Sequence, residues 1–303
     1  LNFLVPMANF YQQINNNKWR SFLVVTLFVL FVGVAGYLLS YTFNSQYFLP
    51  IAIGYSLISA FSGYFLGDKI VLSLNKAIPA NRKDHFEFYT VTENLAKATG
   101  IPKPKIYVIK DDAMNAFATG RNPQNATICA TTGLLDKLNR TELEGVVAHE
   151  LSHVRNYDTL LMTMVSVLLG TLSALISFTN RSLWFRGNDR NSDQDNRDSS
   201  GIFQLLGFFL LLFAPLIAQL IQLAISRRRE FLADASAVGI TRQPSGLISA
   251  LKKISQDHVP FTQASKATDS LYINNPFKGQ GIANLFSTHP PIKERIIALQ
   301  NMM

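Results

Sequence analysis

Four long apolar runs alternate with polar stretches along the chain. Each run is about as long as the roughly 20 residues that a helix needs to cross a bilayer, and the charged residues lie mostly between the runs. The runs cover about residues 21–43, 47–66, 159–179 and 202–225. This pattern predicts a mainly α-helical integral membrane protein with four transmembrane helices and a water-soluble part.

Basic residues mark the ends of the apolar runs that are expected to face the cytoplasm. The link between the first two runs carries no charge, whereas basic residues follow the second and the fourth run. By the positive-inside rule, the N-terminus and both soluble parts are expected on the cytoplasmic side. A cleaved signal peptide is the alternative for the first run, but no small-residue cleavage site is obvious after it.

The expected organisation therefore has four parts. A tail with a first transmembrane hairpin occupies residues 1–67, and a cytoplasmic part follows at 68–158. A second hairpin occupies residues 159–225 and carries the polar loop 180–201, and a second cytoplasmic part occupies 226–303. The loop is rich in Asn, Asp, Arg and Ser, a composition typical of an exposed segment.

The cytoplasmic parts are expected to be α+β. Strand patterns predict a small antiparallel sheet from residues 105–109, 115–120 and 126–131. Helical spacing at 85–99 ends at Gly100, and Asn139 with Glu142 has the pattern of a capping box that begins the next helix. Further helices are predicted at 227–238, 245–254 and 292–300, with a loop at 258–287.

Composition and charge narrow the class of protein. The net charge of +8 is carried by residues that flank apolar runs, and no basic motif with interleaved aromatic residues accompanies it, so a nucleic-acid partner is not expected. The expected partners are the lipid bilayer and protein substrates. Cys129 is the single cysteine of the chain, which excludes an intrachain disulfide and fits a reducing compartment.

The candidate chemistry centres on a His-Glu-x-x-His sequence at 149–153. Positions four apart lie on one face of a helix, so His149 and His153 can bind one metal ion. Glu150 lies beside that face, where its carboxylate can take a proton from a metal-bound water, as in zinc metallopeptidases. The alternative is a chance run on an amphipathic helix, although only five histidines occur in the chain.

A catalytic zinc ion needs a third protein ligand and one position for water. Glu230 is the candidate, and Asp234 follows it by one helical turn, where it can accept a hydrogen bond from a ligand histidine. The alternative is that Glu230 pairs with a nearby arginine as a solvated interfacial charge. If the two ligand helices continue into the adjacent apolar runs, His153 and Glu230 lie within about 10 Å of the bilayer.

The developing oxyanion of peptide hydrolysis needs a further donor, and the C-terminal segment offers two candidates. His289 and Arg295 are expected to reach over the zinc ion. Both have structural alternatives. Pro290-Pro291 can simply start the last helix, and Arg295 can form a buried salt bridge.

Nearly the whole chain resembles the HtpX family of bacterial membrane zinc metalloproteases, which are related to the CAAX prenyl proteases. The resemblance rests on a set of short motifs, namely Asn115-Ala116-Phe117-Ala118, Gly120-Arg121-Asn122-Pro123, Gly133-Leu134-Leu135, residues 149–153, residues 226–230 with Ala233-Asp234, and residues 287–291 with Arg295. It implies a zincin-like soluble domain that binds one Zn²⁺ per chain through His149, His153 and Glu230.

The resemblance also implies what the protein does. Glu150 is the general base, and the strand formed by Asn115, Ala116, Phe117 and Ala118 is a sheet edge that pairs with extended substrate backbone. The implied role is stress-related quality control of misfolded or damaged proteins in the bacterial inner membrane, with the catalytic domain in the cytoplasm.

Two rival functions remain. A prenyl-type protease that cleaves lipidated C-termini would need a large intramembrane chamber with more than four spans. A catalytically silent scaffold that keeps zinc for its structure would lack Glu150 or would have a fourth protein ligand. Glu150 is present in the sequence, and no cysteine or further histidine lies at ligand spacing.

Overall fold

The computed structural model describes residues 7–42, 44–186, 227–263 and 290–303, together with residues 265, 268 and 271–273. The fourth apolar run, His289 and most of the predicted loop at 258–287 lie outside these residues. The structure is mainly helical and contains one small sheet in its described part.

Two long helices form an antiparallel pair at the start of the chain. Helix α1 spans Met7–Thr42 and α2 spans Phe48–Leu74, and both are long and apolar enough to cross a membrane. Helix α1 begins well before residue 21, so the polar segment that precedes the apolar run is helical as well. A Cβ atom on Gly36 would overlap Ala52, so the two helices touch closely at their linked ends.

The sheet has four strands, in the order β1-β2-β4-β3. In chain order, β1 spans Ile78–Pro79, α3 follows at Phe86–Thr99, and the remaining strands are β2 at Lys105–Ile109, β3 at Ala116–Thr119 and β4 at Thr127–Thr131. Strand β1 was not predicted. Helix α3 ends as predicted at Gly100, whose φ of 69° is left-handed.

The prediction of an antiparallel sheet is wrong for its central pair. Strands β3 and β4 are antiparallel, as expected across the short connection that contains the 3₁₀ turn Pro123–Asn125. Strand β4, however, lies between β2 and β3 and runs parallel to β2. Strand patterns do not contain the order of strands, because that order depends on which apolar faces pack together.

The helix that carries the His-Glu-x-x-His sequence lies in the middle of the region that follows α2. A short helix, α4, spans Thr132–Lys137, and α5 spans Arg140–Arg155. The capping box at the start of α5 is confirmed, because Asn139 Oδ1 accepts from Glu142 N at 3.0 Å and Glu142 Oε2 accepts from Asn139 N at 2.9 Å. Most of α5 is buried, so its neighbours pack on every side of it.

Helix α6 spans Asp158–Arg186, but it does not extend α5 in a straight line. The axes of the two helices differ by 82° across a break at Asn156 and Tyr157, where Tyr157 has a φ of 60°. The expectation that the metal-binding helix continues straight into the third apolar run is therefore wrong. Helix α6 also continues through residues 180–186, which the sequence placed in the polar loop.

The start of α6 packs against the membrane helix pair. Val24 and Phe28 of α1 form one buried cluster with Leu161, Val165 and Leu168 of α6. Two candidate membrane spans are found among the residues that the structure describes, or three if the bent pair α5–α6 is counted as one. The second hairpin with four complete spans stays a prediction, because residues 187–226 are not described.

Three C-terminal helices are found among the described residues that follow α6. Helix α7 spans Arg227–Thr241, α8 spans Pro244–Gln256 and α9 spans Ile292–Gln300, close to their predicted bounds. Together with α3 and the sheet they enclose α5 in one apolar core. A Cβ atom on Gly145 would lie 2.7 Å from the Leu247 amide nitrogen, so only glycine allows α5 and α8 to approach this closely.

Candidate active site

Helix α5 presents three buried polar side chains from one turn. His149, Glu150 and His153 are 1%, 3% and 5% exposed. The four-residue spacing places both imidazoles on the same face, and His149 Nε2 lies 3.2 Å from His153 Nε2. Two ring nitrogens that face each other at this distance form one side of a site for a cation.

The other nitrogen of each ring is held by a carboxylate. His149 Nδ1 lies 2.9 Å from Asp234 Oδ1, and His153 Nδ1 lies 2.9 Å from Asp158 Oδ2. A proton on Nδ1 satisfies each of these contacts, so Nε2 is the atom of each ring that can bind a cation. The Asp234 contact is the one that the sequence predicted.

Helix α7 adds a third ligating group. Glu230 is 4% exposed, and its Oε1 lies 3.5 Å from His153 Nε2 while its Oε2 lies 3.6 Å from His149 Nε2. Ligand atoms on a tetrahedral zinc ion at about 2.1 Å are separated by about 3.4 Å. The three observed separations therefore fit a single zinc ion, and the burial of Glu230 removes the alternative of a solvated interfacial charge.

Arg295 of α9 lies behind the ligand helices and is 0% exposed. Its Nε and Nη2 donate to the two carboxylate oxygens of Asp234 at 2.8 Å and 2.6 Å, and its Nη1 lies 3.4 Å from Glu230 Oε2. This is the buried salt bridge that the sequence analysis gave as the structural alternative for Arg295. The guanidinium fixes the carboxylate that in turn orients His149.

This cluster changes the proton affinity of its members. Burial raises the pKa of Asp234, but Arg295 and His149 lower it more, so its pKa lies below the ordinary value. Burial and Arg295 lower the pKa of His149, whereas Asp234 and Glu230 raise it more, so its pKa in the metal-free protein rises to about 9. A metal ion at this imidazole would therefore compete with protons.

Two residues of the site were missed in the sequence. Asp158 is 2% exposed and binds His153, while Asn17 of α1 donates from Nδ2 to Asp158 Oδ1 at 2.6 Å and to the Asn156 carbonyl at 3.0 Å. Asp158 stands at the start of an apolar run, where an acidic residue is expected as an ordinary feature of the first helical turn. No sequence pattern marks Asn17 as part of the site, because only the packing of α1 brings it to α5.

The predicted substrate strand lies at the edge of the sheet but is fully buried. Asn115 precedes β3, and its Oδ1 accepts from the Ala116 amide at 3.0 Å. The Ala116 carbonyl accepts from the Ile273 amide at 3.1 Å, and Thr119 Oγ1 lies 2.8 Å from Thr163 Oγ1 of α6. Phe117 and Ala118, the other two members of the motif, are 1% and 4% exposed.

The last predicted site residue, His289, falls outside the described residues. The structure begins again at Pro290, which is buried, and Pro291 is the residue before α9. Proline at this position fits the start of a helix, as the structural alternative had it. A role of His289 at the zinc ion stays a prediction.

A profile of peptidase family M48 matches residues 84–303. The Protease HtpX homolog of Lactobacillus helveticus is 43% identical over 298 residues, covering 96% of this chain and 99% of the relative. The Protease HtpX homolog of Streptococcus uberis is 42% identical over 297 residues, with the same two coverages.

Among solved structures, the crystal structure of S. mikatae Ste24p is similar at 23% identity with a TM-score of 0.48, covering 91% of this chain and 61% of that one. The family profile spans more than half of the chain, and the curated relatives match it almost end to end. The chain therefore belongs to peptidase family M48, among the HtpX-type membrane proteases.

Proposed function

We propose that this peptidase is a zinc-dependent endopeptidase of the bacterial inner membrane, which hydrolyses misfolded or damaged membrane proteins on the cytoplasmic side. One observation carries the zinc chemistry, namely the convergence of His149, His153 and Glu230 at 3.2 to 3.6 Å. The donor set of two imidazoles and one carboxylate leaves a position for water.

In this mechanism His149, His153 and Glu230 would hold the metal ion, and Asp234 and Asp158 keep both imidazoles in the ligating tautomer. When bound there, zinc would supply a lowered pKa for a water molecule and polarisation of the scissile carbonyl. Glu150 takes the proton of the water and passes it to the leaving amine. We propose that His289 donates a hydrogen bond to the developing oxyanion.

The substrate side of the proposal concerns β3 and the membrane. Strand β3 ends the described sheet, so an extended substrate segment can pair with its outer edge. Two hydrogen-bonding groups of Ala116 on this strand are already used, because its amide binds Asn115 Oδ1 and its carbonyl binds the Ile273 amide. Pairing at Ala116 therefore requires residues 271–273 to move away from the strand.

The scaffold alternative has less support in this site. In the cluster found among the described residues, three side chains converge where a zinc ion fits, and a structural zinc ion needs four protein ligands. Glu150 is also buried next to His149, although a scaffold has no use for a buried carboxylate at this place.

Replacement of Glu150 by Gln tests the proposal. The change preserves size but removes the proton acceptor, so cleavage of an unfolded protein substrate by purified protein with zinc is expected to fall at least 10²-fold. Zinc content measured by atomic absorption is expected to stay unchanged. Glu144→Gln is the matched control, since Glu144 lies on the same helix and pairs with Arg140 at the surface. Equal cleavage by both variants would overturn the proposal.

A further inference from the structure

A cleft of about 560 Å³ opens between the three helices α1, α2 and α6, where they meet the turn that follows β3. It lies within the range of 300–1,000 Å³ that is typical of ligand sites. The turn carries Arg121, which belongs to the Gly120-Arg121-Asn122-Pro123 motif and is not part of the metal centre. We call this space the hairpin cleft.

Two cations line the hairpin cleft, Lys18 of α1 and Arg121. Lys18 Nζ lies 4.4 Å from the centre of the Tyr157 ring, and Arg121 Cζ lies 5.1 Å from the centre of the Phe65 ring. Arg121 Nη1 also donates to the Phe65 carbonyl at 3.3 Å. These contacts orient the two cations but do not neutralise them.

No carboxylate is found among the described residues that line the hairpin cleft. The positive charge of Lys18 and Arg121 is therefore left for an anion. Asn122 holds the turn in place, because its Oδ1 accepts from the Asn125 amide at 2.9 Å and caps the 3₁₀ turn. Arg121 thus points from a fixed piece of backbone rather than from a free loop.

Apart from Lys18, the three helices line the cleft mainly with apolar side chains. Val25 of α1, Ala60 of α2 and Met164 of α6 line it, and both Ala60 and Met164 are buried. Helices α1 and α2 are the two candidate membrane spans, and they touch closely at Gly36 and Ala52 near their linked ends. An occupant of this space needs an anionic group for the two cations and a hydrocarbon chain for the apolar side chains.

We propose that the hairpin cleft binds one phospholipid with an anionic headgroup. Its phosphate lies between Lys18 and Arg121, and one acyl chain lies along Val25, Ala60 and Met164. Basic side chains at a membrane surface attract anionic lipids, and two of them at the end of a hydrocarbon-lined cleft select for headgroup charge. This site does not depend on the proposed peptidase mechanism, since none of these residues contacts the metal centre.

Native mass spectrometry of the full chain in detergent tests this site, with phosphatidylglycerol as the anionic lipid and phosphatidylcholine as the zwitterionic one. We expect one phosphatidylglycerol per chain, bound more tightly than phosphatidylcholine. Lys18→Gln and Arg121→Gln are each expected to weaken phosphatidylglycerol binding about five-fold, and the double variant about 25-fold. Arg20→Gln is the matched control, because Arg20 lies on α1 but lines a different cleft.

A second variant tests the apolar part and guards against misfolding. Ala60→Phe fills the interior while it leaves both cations in place, and is expected to abolish the bound lipid without loss of helical circular dichroism. Equal affinity for the two lipids, or unchanged binding in Ala60→Phe, would overturn the proposal. Displacement of phosphatidylglycerol by millimolar inorganic phosphate would also overturn it, since the site would then recognise a free anion.

Discussion

Asn17 of the first candidate membrane helix donates a hydrogen bond of 2.6 Å to Asp158, the carboxylate that contacts the His153 imidazole. All three side chains are buried. The hydrogen bond ties α1 directly to the candidate metal centre, and a second one from Asn17 to the Asn156 carbonyl closes the bend between α5 and α6. The position of His153 thus depends on the packing of a membrane helix.

Loss of the Asp158–His153 contact is expected to lower the affinity for zinc. Asp158→Asn keeps the shape of the side chain but no longer requires a proton on His153 Nδ1, so zinc affinity is expected to fall about 10- to 100-fold. Competition with a chromophoric chelator measures this affinity. Asp136→Asn on the exposed face of α4 is the control and is expected to bind zinc like the unchanged protein. Unchanged affinity in Asp158→Asn would show that the carboxylate does not orient the ring.

The Arg295–Asp234 pair predicts a large loss of stability. Arg295→Gln leaves the buried carboxylate of Asp234 without its bidentate partner, which is expected to cost about 3–5 kcal/mol of unfolding free energy. Thermal unfolding in detergent measures the loss. Lys293→Gln on the exposed side of α9 is expected to change little. The double variant Arg295→Gln with Asp234→Asn should lose less than the sum of the single changes, and simple additivity would contradict the coupling.

The hydrogen-bonded carboxylate of Glu142 is expected to make the free energy of unfolding depend on pH. Burial raises the pKa of Glu142, but hydrogen bonds from Lys253 and Ser249 lower it more, so its folded pKa lies below the ordinary value of 4.5. The contribution of Glu142 to the free energy of unfolding is therefore fully present above pH 4.5 and is lost as the pH falls through the folded pKa. Urea unfolding at pH 7 and near pH 4 measures how much unfolding free energy is lost on acidification. This loss should be smaller in Glu142→Gln than in the unchanged protein. An identical loss in both proteins would exclude this role.

Replacement of two helical glycines by alanine is expected to change the stability of the protein in opposite directions. Gly145→Ala forces a Cβ atom to 2.7 Å from the Leu247 amide nitrogen, and is expected to destabilise the protein by about 1–3 kcal/mol through separation of α5 and α8. Gly239→Ala on the exposed side of α7 meets no atom within 4 Å and is expected to stabilise the protein by about 0.5–1 kcal/mol through helix propensity. Unfolding temperatures that move in the same direction would contradict the close approach at Gly145.

Much of the candidate site is encoded in short-range spacing. His149, His153 and Glu150 occupy one helical turn, and the geometry of an α-helix alone places the two imidazoles on one face. The same reason makes the capping box at Asn139 and the last helix at Ile292–Gln300 predictable from a few consecutive residues. Membrane insertion likewise follows from runs of apolar residues, since bilayer thickness sets their length.

The remaining features depend on contacts between residues far apart in the chain. The parallel pairing of β2 with β4, the 82° bend before Asp158, and the burial of Arg295 all follow from how complete elements pack. The amino-acid sequence by itself determined the candidate ligand pair His149 and His153 and the two candidate membrane helices α1 and α2, because these need only local periodicity. Only the tertiary structure decided that Asn17 supports Asp158, because a hydrogen bond across 141 positions exists only when α1 packs beside the bend.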